Sequence, residues 1–291
     1  MESFISLVIR NNKVFRRDKT QVFFSMLSIV IVIALYAVFL QKMQIDAIEQ
    51  VTEASSETIA MVNAWLVAGL LSMIGVTTTL GAFSIAVQDM ESKAAADFLT
   101  APISRAKIQM SYVVNAFIIG LAFSLLGLVA CEIFIVTTGG ELLSAAALVK
   151  VIGILIMTVL LASAFNMLLV LLVRTVNAFS TLSTIVGTAI GFLCGLYVPM
   201  GVLPTFAQNL VMYFPLSHSA VLLRNAFMTD SINSVFAGAP VEMIEEYKLM
   251  YGVLYEMNGT ILSQSASVFI MVGSAVVFTV LAIIIFKQKN K

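Results

Sequence analysis

Side chains that could carry out chemistry are few in this sequence, and they form no catalytic pattern. The 291 residues include one histidine, His218, and two cysteines, Cys131 and Cys194. A single histidine rules out a His-rich metal site, and both cysteines fall in apolar segments, where they are interpreted as small apolar residues. The sequence contains no Gly-x-x-x-x-Gly-Lys-Ser/Thr loop, no His-Glu-x-x-His motif and no nucleophile elbow. We therefore predict a protein that is not an enzyme and has no catalytic or metal-binding residues.

Glu132 is the only ionisable residue deep inside an apolar segment. An acid at membrane depth is costly and marks a candidate functional site, which here would bind a proton or a cation. The alternative is a carboxyl group close enough to the end of its segment to reach the lipid headgroups.

The hydrophobic pattern determines the fold class. Hydrophobic residues make up 60% of the chain, and the mean hydropathy is +1.03. Six apolar stretches are each close to the roughly 20 residues that a membrane-spanning helix needs. We predict an all-α integral membrane protein with six transmembrane helices, spans one to six: Val22–Leu40, Met61–Val87, Tyr112–Val136, Val151–Val173, Ala178–Val198 and Ala266–Phe286.

The basic residues predict the orientation of these spans. Twelve of the sixteen Lys and Arg residues lie on one side of the predicted membrane, and loops rich in Lys and Arg stay in the cytoplasm. They are Arg10, Lys13, Arg16, Arg17, Lys19, Lys93, Arg105, Lys107, Arg174, Lys287, Lys289 and Lys291. Both termini are therefore predicted to be cytoplasmic, in a multi-pass protein of the bacterial inner or plasma membrane. Since these charges are orientation signals in short loops, no nucleic-acid binding is expected.

The N-terminal arm, residues 1–21, has the pattern of an interfacial helix over Ser3–Lys19. At 100° per residue its apolar residues fall mainly on one arc, and four basic residues fall on the opposite arc, which is typical of a helix lying on lipid. The apolar residues are Phe4, Leu7, Val8, Val14 and Phe15, and the basic residues are Arg10, Lys13, Arg16 and Arg17. The alternative is a solvated basic leader.

The predicted cytoplasmic connection between spans two and three, residues 88–109, has an Ala-rich, helix-prone first part that ends before Pro102. An apolar knob in it is surrounded by mixed charges, and Ser104 follows the knob. The knob consists of Phe98, Leu99 and Ile103, and the charges are Asp89, Glu91, Lys93, Asp97 and Arg105. Such a helix suits a groove on a partner protein, whereas the alternative is a solvated loop that only joins two spans.

The predicted external segment, residues 199–265, holds two apolar pieces, Thr205–Phe214 and Ser217–Met228, that Pro215 separates. Each piece is too short to cross a bilayer and is interpreted as re-entrant or interfacial. The following Asp230–Gly259 is acidic, and we expect it to be solvated.

Spans two and five carry small and hydroxyl-bearing residues at helical spacing. Glycines every four residues allow another helix to approach closely. Span five contains Gly187, Gly191 and Gly195 beside Thr181, Thr184, Thr188 and Phe192, and span two contains Ser72 and Thr79. Two interpretations stay open, namely packing within one protomer, and a dimer seam or substrate path lined by spans two and five.

Two motifs give the chain its resemblance to a known family, the permease subunits of ABC-2 type transporters. The first is an "E…L…PISR" stretch, formed here by Glu91, Leu99, Pro102, Ile103, Ser104 and Arg105. The second is a run with Gly195, Pro199, Leu203-Pro204, Phe214-Pro215-Leu216-Ser217 and Leu223-Arg224. Ser217 stands where many members have Thr, and His218 where many have an aromatic residue. The resemblance covers nearly the whole chain and is to drug, antibiotic and natural-product exporters of the daunorubicin-permease kind.

This resemblance implies a type V ABC exporter fold. In it, residues 1–21 form a connecting helix, Asp89–Leu99 a coupling helix on an ATPase, and residues 22–291 a six-span domain. A second permease protomer, identical or different, and a dimer of cytoplasmic ABC ATPase subunits are implied as partners. ATP and Mg would bind to that ATPase, and this chain would hold no cofactor. Short external helices would cap the exit, with Pro199, Pro204, Pro215 and Arg224 at the gate.

The resulting prediction is the permease of an ATP-driven exporter. Its cargo is expected to be an amphipathic or hydrophobic small molecule, such as a drug, an antibiotic, a lipid-like natural product or a toxin. The alternatives are a permease for a lipid-linked cell-wall polymer, a secondary carrier or channel that uses Glu132, and a membrane partner that transports nothing.

Overall fold

The computed structural model describes residues 2–36, 41, 55–94, 98, 103–257 and 259–289, and the structural statements below concern these residues. They fold into helices and one short antiparallel hairpin in which β1 pairs with β2. The elements are α1 (Glu2–Arg17), α2 (Lys19–Leu35), α3 (Ser56–Ala82), α4 (Ser84–Glu91), α5 (Arg105–Thr137), α6 (Ala145–Val170), α7 (Val176–Leu193), a 3-10 turn (Met200–Val202), α8 (Thr205–Tyr213), α9 (Ser217–Val235), α10 (Val241–Met250), β1 (Glu256–Met257), β2 (Thr260–Ile261) and α11 (Gln264–Lys289).

Five of these helical segments are long and apolar enough to cross a membrane, namely α3 with α4, α5, α6, α7 and α11. The pair α1 and α2, which meet at an angle of 71°, meets the same criterion when counted together. The predicted all-α membrane fold is therefore confirmed.

Hydroxyl and carboxyl side chains begin several of these helices. Before α2, the Asp18 side chain accepts a hydrogen bond from the backbone N–H of Gln21 at 2.9 Å. At the starts of α3, α6 and α7, the side chains of Ser55, Ser144 and Thr175 accept the backbone N–H groups of Thr58, Ala147 and Ala178, each at 3.2 Å. These caps satisfy N–H groups that have no partner within the helix.

Every predicted span differs from its helix at one end or both, and the helices of spans three and four begin at Arg105 and Ala145 instead of Tyr112 and Val151. Span two consists of two helices, because the chain breaks at Phe83 between α3 and α4. Span five ends at Leu193, five residues early, because the following turn places Gly195 at a φ of +63°. The helix of span one begins at Lys19, and residues 37–40 of that prediction lie outside the described residues.

The centre of the bundle is α3, which packs against α5, α6, α7 and α9, while α11 packs on the outside against α6. Gly120 allows α5 to approach α3 closely, because a Cβ atom at this position would lie 2.3 Å from Cγ2 of Thr79. Below, the side of the bundle that carries residues 88–109 is called the loop side, and the side that carries α8, α9 and α10 is called the cap side.

The cap side is more ordered than the sequence suggested. The two short apolar pieces are helices α8 and α9, although α9 continues to Val235. The expectation that Asp230–Gly259 is solvated is wrong around Tyr251, Val253 and Tyr255, which are buried, whereas α10 before them contains no buried residue. The indole N–H of Trp65 on α3 donates to the carbonyl of Tyr251 at 2.8 Å, which fixes this segment to the core.

Candidate functional site

Helix α1 is positioned by a buried stripe of three residues one turn apart, Leu7, Asn11 and Phe15, which faces α5. The Asn11 side-chain amide donates to the Ser111 hydroxyl at 3.1 Å, and the Phe15 ring meets Phe123 edge-on. The apolar arc predicted from the sequence included Leu7 and Phe15. It did not include Asn11, which is polar and pairs with the neighbouring helix.

Arg10 turns toward the protein, whereas the sequence pattern placed it on the outward basic arc. Its Nη2 donates to Oδ1 of Asp89 at 2.7 Å, and its Nη1 donates to Oδ2 of the same carboxylate. The Tyr112 hydroxyl on α5 also donates to Oδ2 of Asp89, at 2.6 Å. The hydrogen bond to Asp89 raises the pKa of Arg10, so the guanidinium stays charged over the physiological pH range. Asp89 is buried in this cluster and does not lie on the loop surface.

The end of α4 makes a further connection, to α7. Oε2 of Glu91 accepts the backbone N–H of Val176, the first residue of α7, at 3.2 Å. A carboxylate at this position favours the helix, because the N-terminus of a helix carries a partial positive charge. Together with Asp89, Glu91 thus joins the short helix α4 to α1, α5 and α7.

The remaining predicted loop residues differ in their environment. The Arg10 guanidinium carbon lies 5.3 Å from the ring centroid of Phe98, so this residue of the apolar knob contacts α1. Ile103 packs partly against the core. Lys93, which has a φ of +63°, Ser104 and Arg105 are exposed. The predicted residues Asp97, Leu99 and Pro102 lie outside the described residues.

The hydroxyl residues of spans two and five lie in different places. Ser72 and Thr79 are buried, where Ser72 accepts from Ser219 at 2.8 Å and Thr79 accepts from the Asn166 amide at 2.7 Å. The hydroxyl stripe of α7 is exposed, and each of its hydroxyl groups donates to the carbonyl four residues earlier. This stripe consists of Thr181, Thr184 and Thr188. Phe192, which is exposed as well, continues it. The structure therefore does not bring the two sets onto one surface of the protomer.

The three glycines of α7 have three different surroundings. A Cβ atom at Gly187 would meet nothing within 4 Å, whereas at Gly191 it would lie 2.3 Å from the Tyr197 ring. Gly195 lies in the turn after the helix and would bring a Cβ atom to 2.8 Å from Nη2 of Arg224. Of these three glycines, only Gly187 has free space around its Cβ position.

Arg224 joins two helix ends on the cap side. Its Nη2 donates to the carbonyls of Cys194 at 2.8 Å and Gly195 at 2.7 Å, just after α7, and its Nη1 donates to the carbonyl of Gly252 at 3.4 Å, just after α10. The guanidinium carbon lies 5.1 Å from the ring centroid of Trp65. The ends of two helices, each with a partial negative charge, and an aromatic face compensate this buried cation.

The predicted gate prolines stand at the boundaries of the cap helices. Pro199 precedes the 3-10 turn, Pro204 precedes α8, and Pro215 lies between α8 and α9. Proline suits these positions, because it fixes φ and needs no hydrogen bond from its own nitrogen.

The sequence did not predict the contacts that Arg10, Tyr112, Trp65 and Asn166 make in these sites. Helical periodicity indicates the face on which a residue lies but not its partner on another helix. The one available signal was the isolated Trp65 in span two, since the indole N–H of a buried tryptophan usually has a hydrogen-bond partner.

These features define a multi-pass helical membrane protein with a loop that is tied to the bundle by an ion pair and with helices that cap the other side. Within the described residues there is no group of His, Cys, Asp and Glu that could hold a metal ion. The sequence model of the ABC-2 type transporter family matches residues 2–228, and the chain belongs to this family. A search among proteins of curated function returned no match. The chain is thus a permease component of an ABC transporter, a class of subunit that associates with an ABC ATPase.

Proposed function

We propose that this chain is the permease of an ATP-driven exporter, with both termini in the cytoplasm. It pairs with a second permease protomer and with a dimer of ABC ATPase subunits. It moves an amphipathic or hydrophobic small molecule, such as a drug, an antibiotic, a lipid-like natural product or a toxin, out of the cytoplasm or the inner leaflet. ATP and Mg bind to the ATPase, and this chain contributes the path and the mechanical linkage.

The contact between Arg10 and Asp89 is the observation that carries this proposal. It ties the end of α4, which leads directly into the 88–109 loop, to the surface helix α1, and Tyr112 ties the same carboxylate to α5. Glu91 joins the end of α4 to the start of α7. A displacement of the loop by an ATPase would therefore move α1, α5 and α7 together instead of deforming the loop alone.

The exposed face of α7 supports the proposed cargo path. Hydroxyl groups are uncommon on a lipid-facing surface, and in membrane proteins they favour contact with another helix or with a cavity. Each threonine hydroxyl of the stripe already donates to its own helix, so it offers an acceptor to a cargo without leaving an unpaired donor. In this proposal the path between two protomers is lined by α7, while Ser72 and Thr79 stabilise the interior of one protomer.

Charge reversal at Arg105 tests the proposal. The chain is co-purified with the ATPase encoded nearest to its gene and placed in lipid nanodiscs, and ATP hydrolysis is measured. We expect Arg105→Glu to lose the ATPase, or its stimulation by the permease, because Arg105 is exposed at the start of α5 beside the loop. Lys107→Glu is the matched control, since it makes the same charge change two residues along the same helix and should have a smaller effect.

Two results would contradict this function. One is a folded chain that captures no ATPase, which would move the interpretation to a secondary carrier. The other concerns direction. In inside-out vesicles, ATP should drive accumulation of a fluorescent amphipathic dye, and ATP-driven loss of dye from these vesicles would exclude export.

A further inference from the structure

A groove of about 730 Å³ lies on the outer surface of α5 and α6, toward the cap side. Its walls are apolar and include Leu125, Val129, Ile133, Leu148 and Ile152. Val129 and Ile133 are more than half exposed in the protomer, so the groove opens outward. Among its lining residues Glu132 is the only one that can carry a charge.

Only one of the two oxygens of the Glu132 carboxyl group has a hydrogen-bond partner in the described part of the chain. Its Oε2 accepts the backbone N–H of Leu143 at 3.2 Å, a contact that holds the loop between α5 and α6 against α5. Its Oε1 is shielded from solvent and has no hydrogen-bond partner in the described part of the chain. A shielded acceptor of this kind costs free energy until a donor reaches it. The terminal torsion of glutamate is soft, so a small rotation of the whole carboxyl group can bring Oε1 toward a donor in the groove.

The shape and charge of the groove indicate which chemical group can donate a hydrogen bond to Oε1 of Glu132. From Glu132 the lining of the groove extends along α5 to Leu125, which is about 10 Å at 1.5 Å per residue and accommodates the first part of an alkyl chain whose polar end lies at Glu132. No Lys or Arg belongs to the lining. The phosphate of a phospholipid headgroup would therefore lie beside a carboxylate without compensation, whereas a lone ammonium group is complementary to it.

We infer that this groove is a binding site for a single-chain amphipath with a primary ammonium group, which donates to the Glu132 carboxylate while its alkyl chain lies between α5 and α6. The site belongs to one protomer and lies apart from the exposed face of α7. It concerns binding alone, so it stands whether or not the proposed export of cargo is correct.

Binding of radiolabelled dodecylamine to the purified chain tests this inference, with dodecanol as the neutral probe of equal chain length. Both are measured in phosphatidylcholine nanodiscs, and partition into empty nanodiscs is subtracted. We expect the chain to bind the amine at least about tenfold more tightly than the alcohol, as a charge-assisted hydrogen bond would require. Glu132→Gln should remove this preference and leave dodecanol binding unchanged, because glutamine retains an acceptor for Leu143. Glu141→Gln is the matched control on an exposed acid outside the lining and should bind as the wild type does.

Val129→Trp fills the groove from its exposed wall and should abolish binding of both probes, with elution as a folded monodisperse species as the check on integrity. The inference is overturned if Glu132→Gln retains the preference for the amine, or if Val129→Trp binds the amine normally. It is also overturned if nanodiscs of phosphatidylethanolamine abolish amine binding, because the occupant would then be a phospholipid.

Discussion

Arg10 and Asp89 lie 79 positions apart in the sequence, and both terminal nitrogens of the guanidinium bind the two oxygens of the one carboxylate. A two-point contact of this kind fixes direction as well as distance, which a lysine at the same position would not do. This pair therefore joins α1 directly to α4, at the point where α4 leads into the 88–109 loop.

Removal of one partner of this pair should weaken the loop side. Arg10→Ala leaves Asp89 buried with only the Tyr112 hydroxyl, and we expect a loss of about 1–3 kcal/mol in stability. This is less than for a fully buried pair, because the Arg10 side chain is about a third exposed. Thermal unfolding in detergent checks the value, with the exposed Arg16→Ala on the same helix as the control.

The same substitution should reduce coupling. Arg10→Ala is expected to lower ATP-driven transport more than it lowers ATP hydrolysis, because the loop still docks but no longer moves α1. If Arg10→Ala loses transport and ATP hydrolysis to the same extent, and Arg16→Ala does likewise, the contact between Arg10 and Asp89 has no role in coupling.

The glycines of α7 should differ in the effect of alanine. Gly195→Ala is expected to cost about 1–2 kcal/mol, because its positive φ is unfavourable for any side chain and the Cβ atom would press on Arg224. Gly191→Ala displaces only the far end of the Tyr197 ring and should cost less. Gly187→Ala meets open space and should leave the protomer unchanged, or up to about 1 kcal/mol more stable through helix propensity. Thermal unfolding of the three variants checks this order, and a result in which Gly187→Ala is the most damaging would refute it.

Features that depend on local sequence could be predicted for this chain, whereas contacts between helices could not. The all-α membrane fold and the existence of α8 and α9 followed from hydropathy and proline positions, because these depend on local sequence. The partner of Asp89 could not be predicted, because the N-terminal arm carries five basic residues and only the packing of Leu7, Asn11 and Phe15 on α5 selects Arg10. For the same reason Ser72 and Thr79 looked equivalent to the threonines of α7, although one set is enclosed and the other is exposed.

This difference in exposure leads to a prediction about cargo selectivity. Thr184→Val removes an exposed hydroxyl without changing side-chain shape, and it should alter the transport rates of different cargoes by different factors with little change in thermal stability. Thr79→Val removes the acceptor for Asn166, and we expect a loss of about 0.5–2 kcal/mol in stability with unchanged relative selectivity. Transport of three fluorescent amphipaths by each variant provides the comparison. A selectivity change in Thr79→Val alone would place the path inside the protomer.

Arg224 provides the sharpest test of the cap side, because the only tryptophan of the chain lies beside it. Arg224→Lys keeps the positive charge but cannot reach the carbonyls after α7 and α10 together, so we expect a loss of about 2–4 kcal/mol in stability. The freed ends of α7 and α10 should admit water near Trp65, and its fluorescence emission should shift to longer wavelength at temperatures below unfolding. Arg174→Lys, an exposed residue on the loop side, should change neither quantity. If Arg224→Lys leaves the Trp65 emission and the unfolding temperature as in the wild type, the two helix ends are held by other contacts, and Arg224 does not organise the cap.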